Sequence, residues 1–398
     1  MDFKLSSDTK YNDLKIKVGI KTAGKPDMTK SEDSTIVHNL LIGDGFHWES
    51  TMEADLPGEV SEYGIKGNKI TEADRSITLV NHLPIETYLE CVVGSEMNPN
   101  APMEFLKAHA VISRSWALGK VLGSHKYDNS GYVDEKDCLI GWDDNEGHQG
   151  FHVCSDDHCQ RYQGRQPIDP VALQAIRETA GEVLISTAGE SGDWESNSGL
   201  HSLPVVDARF SKCCGGRTEI FSSCWQDEEV AGIESFEDPW CNLSALSESK
   251  RNRLLTSILK DYDLDTQGYG FRWMSEISKT DIRANLKNRF GRDVGEITSI
   301  EPLRRGPSGR ISLLRIRGSE GILDLGKELW IRRLLSPSHL YSSAFEAEDR
   351  GDKILLHGKG WGHGAGLCQI GAASMAAHGH DYREILTFYY PDTELKRL

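Results

Sequence analysis

The sequence predicts an α+β fold. Three observations carry this. β-type runs separated by turns fill the first 80 residues, helical patterns follow them, and strand and helix runs do not alternate as βαβ units. A further helix-and-hairpin piece sits within the second half of the chain.

The elements follow in order. "LKIKVGI", "TIVHNLLIG", "GFHWES" and "SITLVN" read as strands. Residues 99–122, "PNAPMEFLKAHAVISRSWALGKVL", read as a helix with Pro102 in its first turn. Met103, Leu106, Ala110, Ala117 and Val121 recur at helical spacing, and apolar residues also occupy much of the remaining circumference, so this helix is central. Residues 123–168 are loop-like and rich in His, Asp and Gly. The helix "DPVALQAIRETAG" follows, with Asp169 as N-cap, Pro170 at its first position and Gly181 as terminator. "EVLIST" and "PVVDARFSK" read as strands, and "CCGGRTE" as a turn. An inserted α+β subdomain over 240–345 has an amphipathic helix, "SKTDIRANLKNRF", with Ile282, Leu286 and Phe290 aligned. A hairpin around "RGPSGR" and the strands "ISLLRIRG" and "GILDLG" complete it. Helices at "CQIGAASMAAHG" and "DYREILTFYY" close the chain. The expected division is a β-rich segment over 1–80, a core with catalytic and metal loops over 81–239, the insert over 240–345, and a glycine-rich segment with helices over 346–398 that completes the core. The insert's charges read as solvated faces, and no catalytic group is expected there.

Composition narrows the function. The chain has 398 residues and a net charge of −16, which argues against a nucleic-acid partner and against attraction to anionic membranes. No run of 18 apolar residues marks a transmembrane segment, and no basic stretch followed by an apolar one marks a signal peptide. Nine cysteines, an odd number in a long chain, read as free thiols plus one metal site.

Four stretches carry chemistry. In "YLECVVGSEMNPNAPMEFLKAHAVISRSWAL", Glu96 lies among Val92, Val93 and Met97, and an apolar setting disfavours the ionised carboxyl, as a general acid requires. Lys107 and Arg114, seven apart, share a helix face from which they pair with Glu96 or grip a substrate. In "EGHQGFHVCSDDHCQRY", His148, His152, Cys154, His158 and Cys159 are zinc ligand types within twelve residues. Cys213 and Cys214 in "SKCCGGRTE" are nucleophile candidates only beside a histidine. In "HGKGWGHGAGLCQIGAASMA", glycines at 358, 360, 362, 364 and 366 alternate with His357, Lys359, Trp361 and His363. Read as an extended segment, this gives one face bare enough to be approached.

These blocks, in this order and spacing, resemble the stage II sporulation protein D family and the related LytB amidase enhancers. The resemblance covers most of residues 82–225 and 354–396. It implies that family's core fold and lytic transglycosylation of the peptidoglycan glycan, preferably on strands stripped of stem peptides, in the cell envelope. Glu96 matches the family's catalytic glutamate, and Lys107 and Arg114 its helix basics. His148, Cys154 and Cys159, spaced H-x5-C-x4-C, resemble its zinc ligands, with His152 and His158 in reserve; the zinc is expected to be structural. His363 and Gln369 match its cleft residues, and Trp361 is a candidate to stack on a sugar ring. A cell-wall amidase is the protein partner the resemblance implies. The alternative is a non-catalytic, glycan-binding amidase enhancer. The chain departs from the family at Cys213, Cys214 and Cys368, where many relatives carry serine or another small residue.

Overall fold

The computed structural model describes residues 10–42, 50–62, 76–98, 100–123, 132–142, 148, 150–155, 159–165, 170–187, 200, 203–259, 270–337 and 340–398. Strand and helix contents confirm the mixed α+β class.

Strands β1 (Lys15–Ala23), β2 (Met28–Lys30), β3 (Ser34–Ile42), β4 (Ser50–Pro57), β5 (Glu59–Glu62) and β6 (Ser76–Pro84) form a largely antiparallel sheet, with β1 between β3 and β6. Most of the predicted strand "GFHWES" lies outside the described residues. Ile16, Val18 and Ile20 of β1 alternate inward and are fully buried. They share one core with helices α1 (Ile85–Glu96) and α2 (Met103–Leu122). The N-terminal strands are therefore packed into the core rather than standing apart from it. Helix α2 ends at Gly123, whose left-handed φ of 65° suits glycine. Helix α1 was not foreseen from the sequence; its apolar residues are buried nearly all round and leave no amphipathic signal.

Helix α3 (Pro170–Glu178) and strand β10 (Glu182–Ser186) flank α2, and β10 pairs with the C-terminal β19 (Thr393–Arg397). "PVVDARFSK" is strand only at β11 (Phe210–Ser211), which pairs in parallel with β18 (Leu367–Cys368). Helices α8 (Gln369–Ala377) and α9 (Tyr382–Tyr389) complete this core, the latter started by an Asp381–Glu384 capping box.

A second core begins later than predicted. After the short helix α4 (Phe221–Cys224), residues Cys241, Leu243, Leu254 and Ile258, around helix α5 (Glu248–Ile258), pack into the first core. The second is built by β12 (Arg272–Ser278), α6 (Lys279–Phe290), the hairpin β13 (Ile297–Arg305) and β14 (Ile311–Gly318), β15 (Ile322–Gly326), α7 (Glu328–Leu334), β16 (Phe345–Asp349) and β17 (Lys353–Lys359). The loop-like region contributes β7 (Val133–Asp134) and β8 (Cys138–Ile140), and β8 extends this second sheet beside β15. No helix among the described residues is long and apolar enough to cross a membrane.

Candidate functional site

Glu96 is the last residue of α1, and only 7% of its surface is exposed. A helix C-terminus offers a carboxylate no dipolar support. A donor comes instead from the loop 159–165, where the Arg161 N–H donates to Glu96 Oε1 at 2.8 Å. The same loop is laced along α1 at three more points. The Gln163 N–H donates to Ser95 Oγ at 3.2 Å, the Tyr88 hydroxyl donates to Gln160 Oε1 at 3.0 Å, and the Tyr88 and Tyr162 rings stack at 5.7 Å.

Cys159, two positions before Arg161, belongs to a cluster. Ligand atoms of His148, Cys154 and Cys159 all lie within 4.8 Å of one another. Strand β9 (Val153–Cys154) pairs in parallel with β1, setting Cys154 opposite Gly19. Cys159 Sγ is 3.6 Å from His148 Nε2. Tetrahedral zinc with ordinary Zn–S and Zn–N bonds separates such atoms by about 3.6 Å, so the donor set fits that ion. His152 is not part of the cluster. Its Nδ1 accepts from the Lys17 N–H at 3.0 Å, and burial holds its pKa down at about 4. His158 lies outside the described residues.

Lys107 and Arg114 do not join Glu96 in the described contacts. Arg114 is fully buried and bidentate to Glu86, with Nε at 2.8 Å and Nη2 at 2.9 Å, while its Nη1 donates to the Glu182 carbonyl. Burial raises the Glu86 pKa, but the Arg114 guanidinium and the Tyr11 hydroxyl outweigh it and hold the carboxyl below its usual range. Lys107 is salt-bridged to Glu104 at 2.9 Å and Glu178 at 2.8 Å. The seven-residue spacing does put both cations on one face of α2, but that face packs on α3 rather than on Glu96.

The glycine segment also differs from expectation. It is extended only as far as Lys359. Gly360, Gly362, Gly364 and Gly366 all have left-handed φ, between 69° and 88°, so the chain coils rather than alternating. What the glycines admit is Arg310. A Cβ at Gly360 would sit 2.6 Å from its guanidinium, and one at Gly364 would collide with it. The fully buried Arg310 donates to the carbonyls of Gly362 at 2.9 Å and Cys214 at 3.1 Å. The approaching group is thus a neighbouring hairpin of the same chain.

The remaining candidates follow from this packing. Trp361 is half-buried, pairs by backbone with Cys213, and has the Tyr341 ring at 5.8 Å and the Lys212 ammonium 5.8 Å over its face. The His363 ring lies 4.8 Å from Trp225, and its Nδ1 accepts from the Ala365 N–H. Burial, then Arg209 and Arg310, hold its pKa down at about 3. Gln369 is buried at the start of α8, its amide 3.3 Å from His109 Nε2. Burial and the Lys212 charge hold His109 neutral, with a pKa of about 3. The network assigns its Nδ1–H to Ser113 Oγ, at 3.3 Å.

Sequence reasoning missed two buried groups of this junction, Arg310 and Glu219. Glu219 accepts from the Ser308 hydroxyl and N–H at the tip of the same hairpin. The "RGPSGR" turn was legible, but its role as a plug was not. A cavity of about 550 Å³ also opens beside Gly358 and Lys359, walled by Arg272, Arg305, Glu346 and His357. None of the predicted site residues lines it.

Comparison with known proteins accords with the order of these blocks. Residues 73–185 match the stage II sporulation protein domain, which contains Glu96 and the histidine–cysteine cluster. Stage II sporulation protein D of Bacillus subtilis is 22% identical over 369 residues, covering 90% of this chain and 88% of that protein. The chain thus carries a stage II sporulation protein domain. The amidase enhancer of Bacillus subtilis, 25% identical over 336 residues, is a longer relative, of which the match covers 40% and which takes in 77% of this chain. An uncharacterized protein of Brachyspira hyodysenteriae is 26% identical over 320 residues, covering 80% of this chain and 68% of that one. Residues 219–366 match a domain of unknown function, and that stretch holds most of the second core and ends in the glycine segment.

Proposed function

We propose that the chain is a lytic transglycosylase of peptidoglycan, cleaving the β-1,4 bond between N-acetylmuramic acid and N-acetylglucosamine in peptide-stripped glycan strands. The observation that supports this reading is one nearly buried carboxyl, Glu96, anchored by the Arg161 N–H two positions after Cys159 of the histidine–cysteine cluster. A glycosidase that uses water works with two carboxylates. A lytic reaction works with one. Protonated Glu96 gives its proton to the bridging oxygen, and the bond from muramic C1 to that oxygen breaks with its electron pair leaving on the oxygen. The C6 hydroxyl of the same muramic residue bonds to C1, and Glu96, now a carboxylate, takes the hydroxyl proton. The products are a 1,6-anhydromuramic end and a free N-acetylglucosamine 4-hydroxyl, and the acid is regenerated.

Zinc, when held by His148, Cys154 and Cys159, would supply a rigid anchor rather than a Lewis acid. The ligand loop would fix Arg161, and Arg161 would fix the carboxyl. Trp361 is the candidate to stack on a sugar ring. Gln369, whose amide meets His109 of α2, is the candidate positioning residue, whereas Arg114 is taken up by Glu86 and His363 packs on Trp225. Function in the cell envelope, with the glycan as binding partner, follows from this reading.

A second reading is a glycan-binding amidase enhancer, favoured by the likeness to the amidase enhancer. The test is mass spectrometry of products from peptide-stripped glycan strands incubated with the full chain. Release of 1,6-anhydromuramic ends supports the first reading. No release, together with faster cleavage by an added cell-wall amidase, supports the second.

A further inference from the structure

A second cluster lies outside the proposed active site, and no part of that reading depends on it. Cys214, Asp238, Cys241 and Cys368 are all fully buried, and one ligand atom from each lies within 4.8 Å of all the others. Three distant segments meet here. The "CCGG" turn brings Cys214, the "DPWC" turn brings Asp238 and Cys241, and the N-cap of α8 brings Cys368.

We infer that Cys214, Cys241, Cys368 and Asp238 form a second mononuclear metal site, holding one thiophilic divalent ion, zinc by ligand chemistry. The spacing fits one tetrahedral ion, in which two Zn–S bonds set sulfurs about 3.8 Å apart. Cys214 Sγ lies 3.4 Å from Cys241 Sγ and 3.2 Å from Asp238 Oδ2. Movements of a few tenths of an ångström open the set around an ion. A disulfide needs sulfurs about 2.05 Å apart and would leave the third thiol and the carboxyl without a purpose. The cluster is too tight for a polynuclear centre bridged by sulfide.

The surroundings are those of ligands held in place. Cys368 Sγ accepts from the Cys214 N–H at 3.3 Å and the Gly371 N–H at 3.4 Å, as a thiolate ligand does. Asp238 Oδ1 accepts from the Trp240 and Cys241 N–H groups, and Oδ2 from the Tyr389 hydroxyl at 3.0 Å. These bonds orient the carboxyl towards the sulfurs. Three thiolates and a carboxylate outweigh a divalent ion by two charges. The N-terminal end of α8 and the Arg310 guanidinium, bonded to the Cys214 carbonyl, offset that excess. Cys213, the neighbouring buried thiol, has its side chain against Cys241 and Cys368 and walls the site.

The test separates the two clusters. In a full-length Cys154→Ser/Cys159→Ser variant, any tightly held metal must sit at the second site. Elemental analysis is expected to find two zinc ions per wild-type chain and one in this variant. Cobalt(II) loaded in place of zinc is expected to give the intense thiolate charge-transfer band of a tetrahedral site, abolished by adding Cys241→Ser. Should that last variant not fold, alkylation of the Cys154→Ser/Cys159→Ser protein decides. Protection of Cys214, Cys241 and Cys368 that a chelator removes supports the site. No metal in that variant, equal alkylation with and without chelator, or a mass two hydrogens lighter from a Cys214–Cys241 disulfide would each overturn it.

Discussion

The two cysteine clusters invite comparison. His148, Cys154 and Cys159 come from twelve consecutive positions, are each only half-buried, and border the loop that holds Glu96. Cys214, Asp238, Cys241 and Cys368 are fully buried, and 154 residues separate the first from the last. The first ties the loop that meets α1 to strand β9. The second lies where the "CCGG" turn, the glycine segment and the second core's hairpin lock together. The two clusters should therefore respond differently to a lesion. Damage near the first belongs in activity, because a local clamp sets one carboxyl. Damage near the second belongs in stability, because it joins distant segments.

The comparison breaks most visibly at Arg310. Arg310→Met removes the plug and strands the buried carbonyls of Gly362 and Cys214, so a loss of about 3–5 kcal/mol is expected in chemical denaturation. A change below about 1 kcal/mol would show that the junction is not what holds this region. Next comes Gly364→Ala. It forces a side chain into left-handed φ and against Arg310, with an expected cost of about 2–4 kcal/mol.

Cys159→Ser should do the opposite. About a 10- to 100-fold loss in product release is expected, with the denaturation midpoint nearly unchanged and zinc content lowered by one ion. A large stability loss with the specific activity of the folded fraction intact would reverse the assignment.

The smallest effect is in pH. Folded His109 has a pKa of about 3, against about 6.5 when unfolded. Below pH 6.5 the unfolded chain takes up a proton that the folded one refuses, so stability falls as pH drops towards 3. The contribution is about 1–2 kcal/mol at pH 5. His109→Gln should flatten the dependence of the thermal midpoint on pH between 7 and 5. An unchanged slope would remove His109 from the account.

What the sequence made legible follows the same divide. H-x5-C-x4-C needs only one loop to assemble, so its spacing sufficed, and Pro170 marked the start of α3 directly. Asp238 and Cys368 are 130 positions apart, and only the topology brings them together. Arg310 is read by backbone carbonyls, which leave no mark in side-chain patterns. The five alternating glycines suggested a strand because spacing reports period and not the sign of φ. Arg114 and Lys107 misled because helix geometry fixes which residues share a face, whereas Glu86, Glu104 and Glu178 fix what that face meets.

The central claim is that Glu96, held by the metal loop, does both proton transfers. Glu96→Gln keeps the shape and cannot deliver a proton, so the direct measurement is release of 1,6-anhydromuramic products by matched wild-type and variant protein, with glycan binding followed in parallel. A loss of at least about 10²- to 10⁴-fold is expected, with binding and the thermal midpoint retained. Equal release by the two proteins would contradict it.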